Sequence, residues 1–204
     1  MPVIHLVRHA QTSRYDHGQD ALTELGVEQS QAVAAELVRR GVEPARVVTG
    51  RLRRQRQTAE ALAGAVPEVD PRWDEFDLPG VLTGYRPDLE PRSVQAALDA
   101  ALATWVGATE GYPETWPAFR DRVLAALADL RPRGTTVVVT SAGPISAVAA
   151  ALLDAPPHGW LALNRVMVNT GITTLAVGRS GTSLVCFNDH AHVAGEGRRL
   201  LTNR

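Results

Sequence analysis

Leu6-Val7-Arg8-His9-Ala10-Gln11-Thr12 places an adjacent cation and imidazole at the end of an apolar run, Val3 to Val7. Three more polar clusters lie at the ends of short apolar runs: Thr49 to Arg54, Ser141-Ala142-Gly143, and Asn188-Asp189-His190-Ala191-His192. If these runs are strands of one parallel sheet, the clusters meet at its carboxyl edge, where open α/β sheets bind ligands. Several Arg and an imidazole in one pocket suit a phosphoryl group. Guanidinium holds phosphate oxygens two at a time. A neutral imidazole nitrogen can attack phosphorus, and the same cations stabilise the charge spread over the transition state.

The elements that would position these clusters can be read in order. Residues 3–8 read as a buried strand and 10–22 as a polar loop. Thr23 caps a helix that ends at Gly41. Val47-Val48-Thr49 is a short strand, and Arg51 to Ala65 a helix ended by Pro67. Residues 67–92 hold five prolines and little periodicity, and read as a long loop or lid. Ser93 caps a helix over 94–106, and 113–130 reads as another. The β-branched run Thr135 to Thr140 predicts a central strand. Ser141 to Pro144 reads as a tight turn before an Ala-rich helix over 145–153. Residues 165–169, 173–177 and 183–187 read as three further strands, the last two joined by a hairpin. The expected fold is a three-layer α/β/α sandwich with a mostly parallel central sheet, a single domain over 1–204 with 67–131 as its lid or cap.

Composition narrows the function classes. The 204 residues are 45% hydrophobic and 21% charged, as a folded chain requires. The formal net charge of -1 favours neither nucleic acid nor an anionic membrane as partner. Every one of the 21 basic residues is Arg, which removes lysine Schiff-base chemistry. One Cys, Cys186, forms no internal disulfide, and no signal peptide or apolar run of membrane-spanning length is apparent. A cytoplasmic protein is the expectation. His190 and His192 suggest a metal pair, yet no third ligand has suitable spacing, so neither metal nor cofactor is expected. The oligomeric state stays open, a homodimer included.

The motifs resemble a known family. Leu6 to Thr12 is similar to the R-H-G signature of the histidine phosphatase (phosphoglycerate mutase-like) superfamily, with Ala10 where Gly is usual. Leu52-Arg53-Arg54-Gln55-Arg56-Gln57-Thr58-Ala59 resembles the second signature, L-x-R-A-x-Q-T-A, which makes Arg54 its phosphate-binding Arg. Trp73-Asp74-Glu75-Phe76 falls where the family carries its general acid, so the resemblance implies Glu75. Val137 to Ile145 matches the strand and turn of V-S-H-G-G-P-I, and Phe187 to His192 resembles the C-terminal N-D-x-x-H segment. The implied protein is a phosphoglycerate mutase-like α/β hydrolase that takes a small phosphorylated substrate through a phosphohistidine and needs no cofactor. His9 is the implied nucleophile. Arg8, Arg54 and Ser141 would hold the equatorial oxygens, and Glu75 would serve as acid and then base.

The chain departs from the family at its second catalytic His, which is Ser141 here, followed by Ala142 in place of Gly. A hydroxyl donates a hydrogen bond but carries no charge. Losing one such preorganised donor typically costs about 10²–10³ in rate. His192, or His190, would then supply the missing imidazole from the neighbouring loop. Two functions follow: a phosphomonoester hydrolase working through His9, or a repurposed member that binds an anionic ligand or does other chemistry in the same pocket. A mutase is a third and weaker option.

Overall fold

The β-branched runs form a sheet as their composition demands. A computed structural model of the chain describes residues 2–13, 20–63, 66–85, 93–130, 134–195 and 198–203. Its elements are β1 (Val3–Arg8), α1 (Glu24–Arg39), β2 (Arg46–Thr49), α2 (Arg53–Ala63), β3 (Glu68–Val69), α3 (Leu78–Gly84), α4 (Val94–Gly107) and α5 (Trp116–Asp129). They continue as β4 (Thr135–Thr140), α6 (Ala142–Leu152), α7 (Pro157–Val166), β5 (Ile172–Gly178) and β6 (Gly181–Asp189).

The strands lie in the order β3-β2-β4-β1-β5-β6. The four strands β3, β2, β4 and β1 are parallel. Register aligns Val7 with Val139 and Val139 with Thr49, so β1, β4 and β2 end level with one another. β5 runs antiparallel to β1, and β6 antiparallel to β5. Two reversals restore the original direction, so β6 also ends at the rim where Arg8 and Thr140 lie. β5 starts there, which brings the turn Asn169-Thr170-Gly171 to the same edge.

Strand alternation sorts the core into two layers. Val7, Val137, Val139 and Ile172 face α1 and α2 through Val33, Leu37 and Ala59. Ile4, Leu6, Val138 and Leu175 face the other way, against α4, α5, α6 and α7. Helix α6 is buried along most of its length, and its run of Ala and Gly lets it seat close on the sheet. His5 is a core residue as expected, its Nδ1 3.1 Å from Thr174 Oγ1. The larger layer centres on rings. Trp105 lies 5.1 Å from Phe76, 5.6 Å from Trp116, 5.7 Å from Phe119 and 5.8 Å from Trp160, centroid to centroid. Its indole N–H donates to Glu114 O at 2.8 Å, so the one polar atom of the ring is satisfied.

Three segments differ from the sequence expectation. The described part of 67–92 is ordered into β3, a 3-10 turn over Pro71–Trp73, and α3, while residues 86–92 lie outside the described residues. Trp73 and Phe76 are buried and hold this segment down, whereas proline count alone suggested a loop. Residues 165–169 are not a strand: α7 continues to Val166, and Asn169 and Thr170 form a turn. Short β-branched runs at a helix end carry no periodicity that separates the two outcomes. Helix α6 begins at Ala142, directly on Ser141, so the expected tight turn is already its first turn.

The ring cluster gives a stability test. Trp105→Ala is expected to cost about 3–5 kcal/mol, read as a lower urea midpoint at unchanged m-value. A cost under about 1 kcal/mol would show that the cluster is not what binds α4 to α5 and α7.

Candidate active site

Arg8 and His9 end β1, and their backbone is fixed before their side chains act. His9 N–H donates to Thr140 O at 2.8 Å, and Asn169 Nδ2 donates to His9 O at 3.0 Å. The next two amides are also taken: Ala10 N–H by Thr58 Oγ1 at 3.0 Å and Gln11 N–H by Gln29 Oε1 at 2.7 Å. Helix α1 presses on this loop so closely that a Cβ at Gly26 would lie 2.2 Å from Gln11 O. Only glycine fits that approach.

The His9 ring is buried, 7% exposed. Its Nδ1 lies 2.8 Å from Ala10 O, so that nitrogen carries the proton. Nε2 then holds a lone pair, which accepts from Arg54 Nε at 3.0 Å. Burial, the Arg54 charge and the Arg8 charge hold the imidazole pKa well below its ordinary value. His9 is therefore neutral at pH 7.

Two guanidiniums flank it. Arg54 comes from the first turn of α2 and also pairs with Asp20. Arg8 Nη1 donates to Met167 O and, at 2.9 Å, to Asn203 O. The latter carbonyl belongs to the chain's C-terminal segment, which is docked rather than loose. Gln29 Nε2 donates to Leu200 O at 2.8 Å and to Thr202 Oγ1 at 2.7 Å, while Asn169 N–H donates to Thr202 O at 2.8 Å. Gln29 thus joins the loop after His9 to residues 200–202.

Glu75 reaches the same cavity from the segment after β3. Its Oε1 accepts from Phe76 N–H at 3.2 Å and its Oε2 from Gly143 N–H at 3.3 Å, at the N-terminus of α6. Burial raises its pKa, opposed first by the Arg54 charge and then by these two amides. A Cβ on Gly143 would sit 2.1 Å from Glu75 Oε1, so this carboxylate needs the glycine. Arg122 of α5 fixes the loop itself, donating to Arg72 O and Asp74 O at 2.8 Å each and to Glu75 O at 3.2 Å.

A cavity of about 1090 Å³ opens over these groups, lined by Arg8, His9, Arg54, Glu75, Ala142 and Asn169 among others. Of the expected site residues it brings together Arg8, His9, Arg54 and Glu75. Ser141 is set apart: it is fully buried, and its Oγ accepts from Gln55 Nε2 at 2.9 Å. Its neighbour Ala142 lines the cavity instead. His192 is likewise outside the lining, with Nε2 3.1 Å from Thr170 Oγ1. His190 Nδ1 is 2.6 Å from Asn188 O. Asn169, Arg122, Gln29 and residues 200–203 carry the site without having stood out in the sequence. No group of three or more metal-ligating side chains occurs among the described residues. No helix among them is long and apolar enough to cross a membrane.

Known proteins place this geometry. The Histidine phosphatase superfamily (branch 1) matches residues 4–190. A mycobacterial glucosyl-3-phosphoglycerate phosphatase in complex with inorganic phosphate is 30% identical, with a TM-score of 0.67 over 94% of this chain and 99% of that one. The same phosphatase with VO3 is 28% identical, with a TM-score of 0.69 over 92% and 99%. A phosphoserine phosphatase mutant of Entamoeba histolytica in complex with phosphoserine is 20% identical and shares the fold, with a TM-score of 0.63 over 95% and 100%. No curated protein matches the chain in sequence. A match of this extent, on a sheet whose rim carries the adjacent Arg8 and His9, makes the chain a member of branch 1 of the histidine phosphatase superfamily.

Proposed function

We propose that the protein hydrolyses phosphomonoesters in this cavity, with His9 as nucleophile. The observation that carries the reading is the state of His9: neutral, with Nδ1 tied to Ala10 O and the Nε2 lone pair turned to Arg54. Family membership and the phosphate and VO3 complexes of a phosphatase about 30% identical support it.

The entering phosphate takes the place of His9 and Asp20 as acceptor for Arg54, while Arg8 holds further oxygens from the side of Asn203. His9 Nε2 attacks phosphorus and the P–O ester bond breaks. Glu75, whose pKa burial raises, acts in its protonated form and gives that proton to the departing alkoxide oxygen. Ala10 O accepts from Nδ1–H and stabilises the positive charge that develops on the ring. Glu75, now a carboxylate, takes a proton from water as the water oxygen attacks phosphorus. The P–N bond breaks, neutral His9 returns and inorganic phosphate leaves. Ser141 holds the position of the family's second His and faces Gln55, so at that place the cavity is met by Ala142 and the partial positive N-terminus of α6. Ser141 and His192 act as positioning residues, through Gln55 and Thr170. The described residues of 67–131, in α3, α4 and α5, surround the leaving group.

Wild type is expected to release phosphate from an aryl phosphate and to trap an acid-labile phosphoenzyme, both lost in His9→Ala. Equal turnover by the two proteins would overturn the reading and leave an anion-binding site.

The pH dependence has a definite sign. His9 must be unprotonated, so kcat/KM rises through its depressed pKa. Glu75 must be protonated, so kcat/KM falls again through its raised pKa. Glu75→Gln should abolish the falling limb and cut kcat for an alkyl ester by about 10²–10⁴. A falling limb that survives the substitution would exclude Glu75 as the acid.

Ser141→Ala leaves the Gln55 amide short of an acceptor and is expected to cost about 1–3 kcal/mol of stability. Its effect on kcat/KM should stay under about tenfold, below the cost of a lost transition-state donor. A larger fall at full stability would return Ser141 to the chemistry.

A further inference from the structure

Only one end of the cavity is built for phosphate. Arg8, His9 and Arg54 occupy that end, and about 1090 Å³ is far more than a phosphoryl group needs. One stretch of the remaining lining, on α3 and α4, is mostly apolar: Leu78, Pro79, Val94, Leu98 and Leu102, with Gln95 beside them. Leu78 and Leu98 are partly buried against the main core, so the wall is anchored.

Charge is arranged against a second anion. Besides Arg8 and Arg54, three guanidiniums line the cavity among the described residues, and each already holds a carboxylate. Arg51 pairs with Asp74, Arg72 with Asp70 and Asp129, and Arg122 with Glu114. Arg122 is further committed to three backbone carbonyls. Asp77 adds an acidic group to the lining, its Oδ1 accepting from Gly80 N–H at the start of α3. A leaving group with its own carboxylate would be desolvated here against paired cations and this acid.

Resting on the phosphatase reading, we infer that the preferred substrate is a phosphomonoester with a bulky, uncharged, apolar leaving group seated on the α3–α4 wall. Substrates whose leaving groups are small acids, such as phosphoserine or 3-phosphoglycerate, are disfavoured. Binding energy gained along that wall positions the ester oxygen between His9 and Glu75.

The test is a series of n-alkyl phosphates from ethyl to hexyl beside phosphoserine, with activity counted only where His9→Ala removes it. Burial of each methylene is expected to raise kcat/KM about two- to fourfold. Hexyl phosphate should then exceed phosphoserine by at least tenfold on the same scale. A flat series, or phosphoserine equal to or better than hexyl phosphate, overturns the inference and leaves the phosphatase reading intact. Leu98→Asn and, independently, Leu78→Asn should each lower the hexyl-to-ethyl ratio about fivefold or more. That ratio does not depend on how much of a variant is folded, and an unchanged ratio in both overturns the assignment of the wall. Calorimetric binding of n-alkylphosphonates, which cannot be hydrolysed, separates the two claims. Affinity that climbs with chain length in a protein that turns over none of the alkyl phosphates keeps the wall and discards the hydrolase. Affinity independent of chain length discards the wall.

Discussion

The hydrogen bond from Arg54 Nε to His9 Nε2 sets the terms for everything around it. It forms only if the imidazole is neutral and its proton is on Nδ1, which Ala10 O secures. A neutral ring beside two guanidiniums is the low-energy choice, since a third cation in that volume would meet both repulsion and desolvation. The guanidiniums must be held apart from each other as well. Arg54 is anchored by Asp20, and Arg8 by two backbone carbonyls far away in the chain. The rim therefore presents two donors and a lone pair facing one space.

A second constraint runs through small residues. Gly26 and Gly143 each stand where a side chain would collide with Gln11 O or Glu75. A Cβ on Gly50 would come within 2.1 Å of Gln55 Oε1 and 2.7 Å of Asp74 Oδ1. These contacts bring α1, α2 and α6 close enough to the rim for their polar groups to reach it.

Much of this was legible in the sequence, for a physical reason. The β-branched runs of β1, β2 and β4 and the caps Thr23 and Ser93 are local signals, and local signals survive folding. Arg8, His9, Arg54 and Glu75 stood out because reactive types sat at strand ends or in family motifs. Ser141 and His192 also had the right places along the chain, but position does not fix direction. One is turned to Gln55 and the other to Thr170. Asn169 was hidden because the run before it mimicked a strand. Arg122 and Gln29 were hidden because their partners are mostly backbone atoms distant in sequence, and composition carries no trace of such bonds.

The strap formed by residues 200–203 has a kinetic side. Arg8 and Asn203 are separated by 195 positions, and Gln29 and Thr202 by 173. During synthesis β1 can pair with β4 before residues 200–203 have left the ribosome. Until they emerge, the Arg8 guanidinium lacks its Asn203 acceptor and Gln29 has nothing to tie. Seating of Arg8 on Asn203 thus comes after the β1–β4 pairing that places the guanidinium at the rim. The contacts of highest sequence separation, which are slowest to close, are those that seat Arg8.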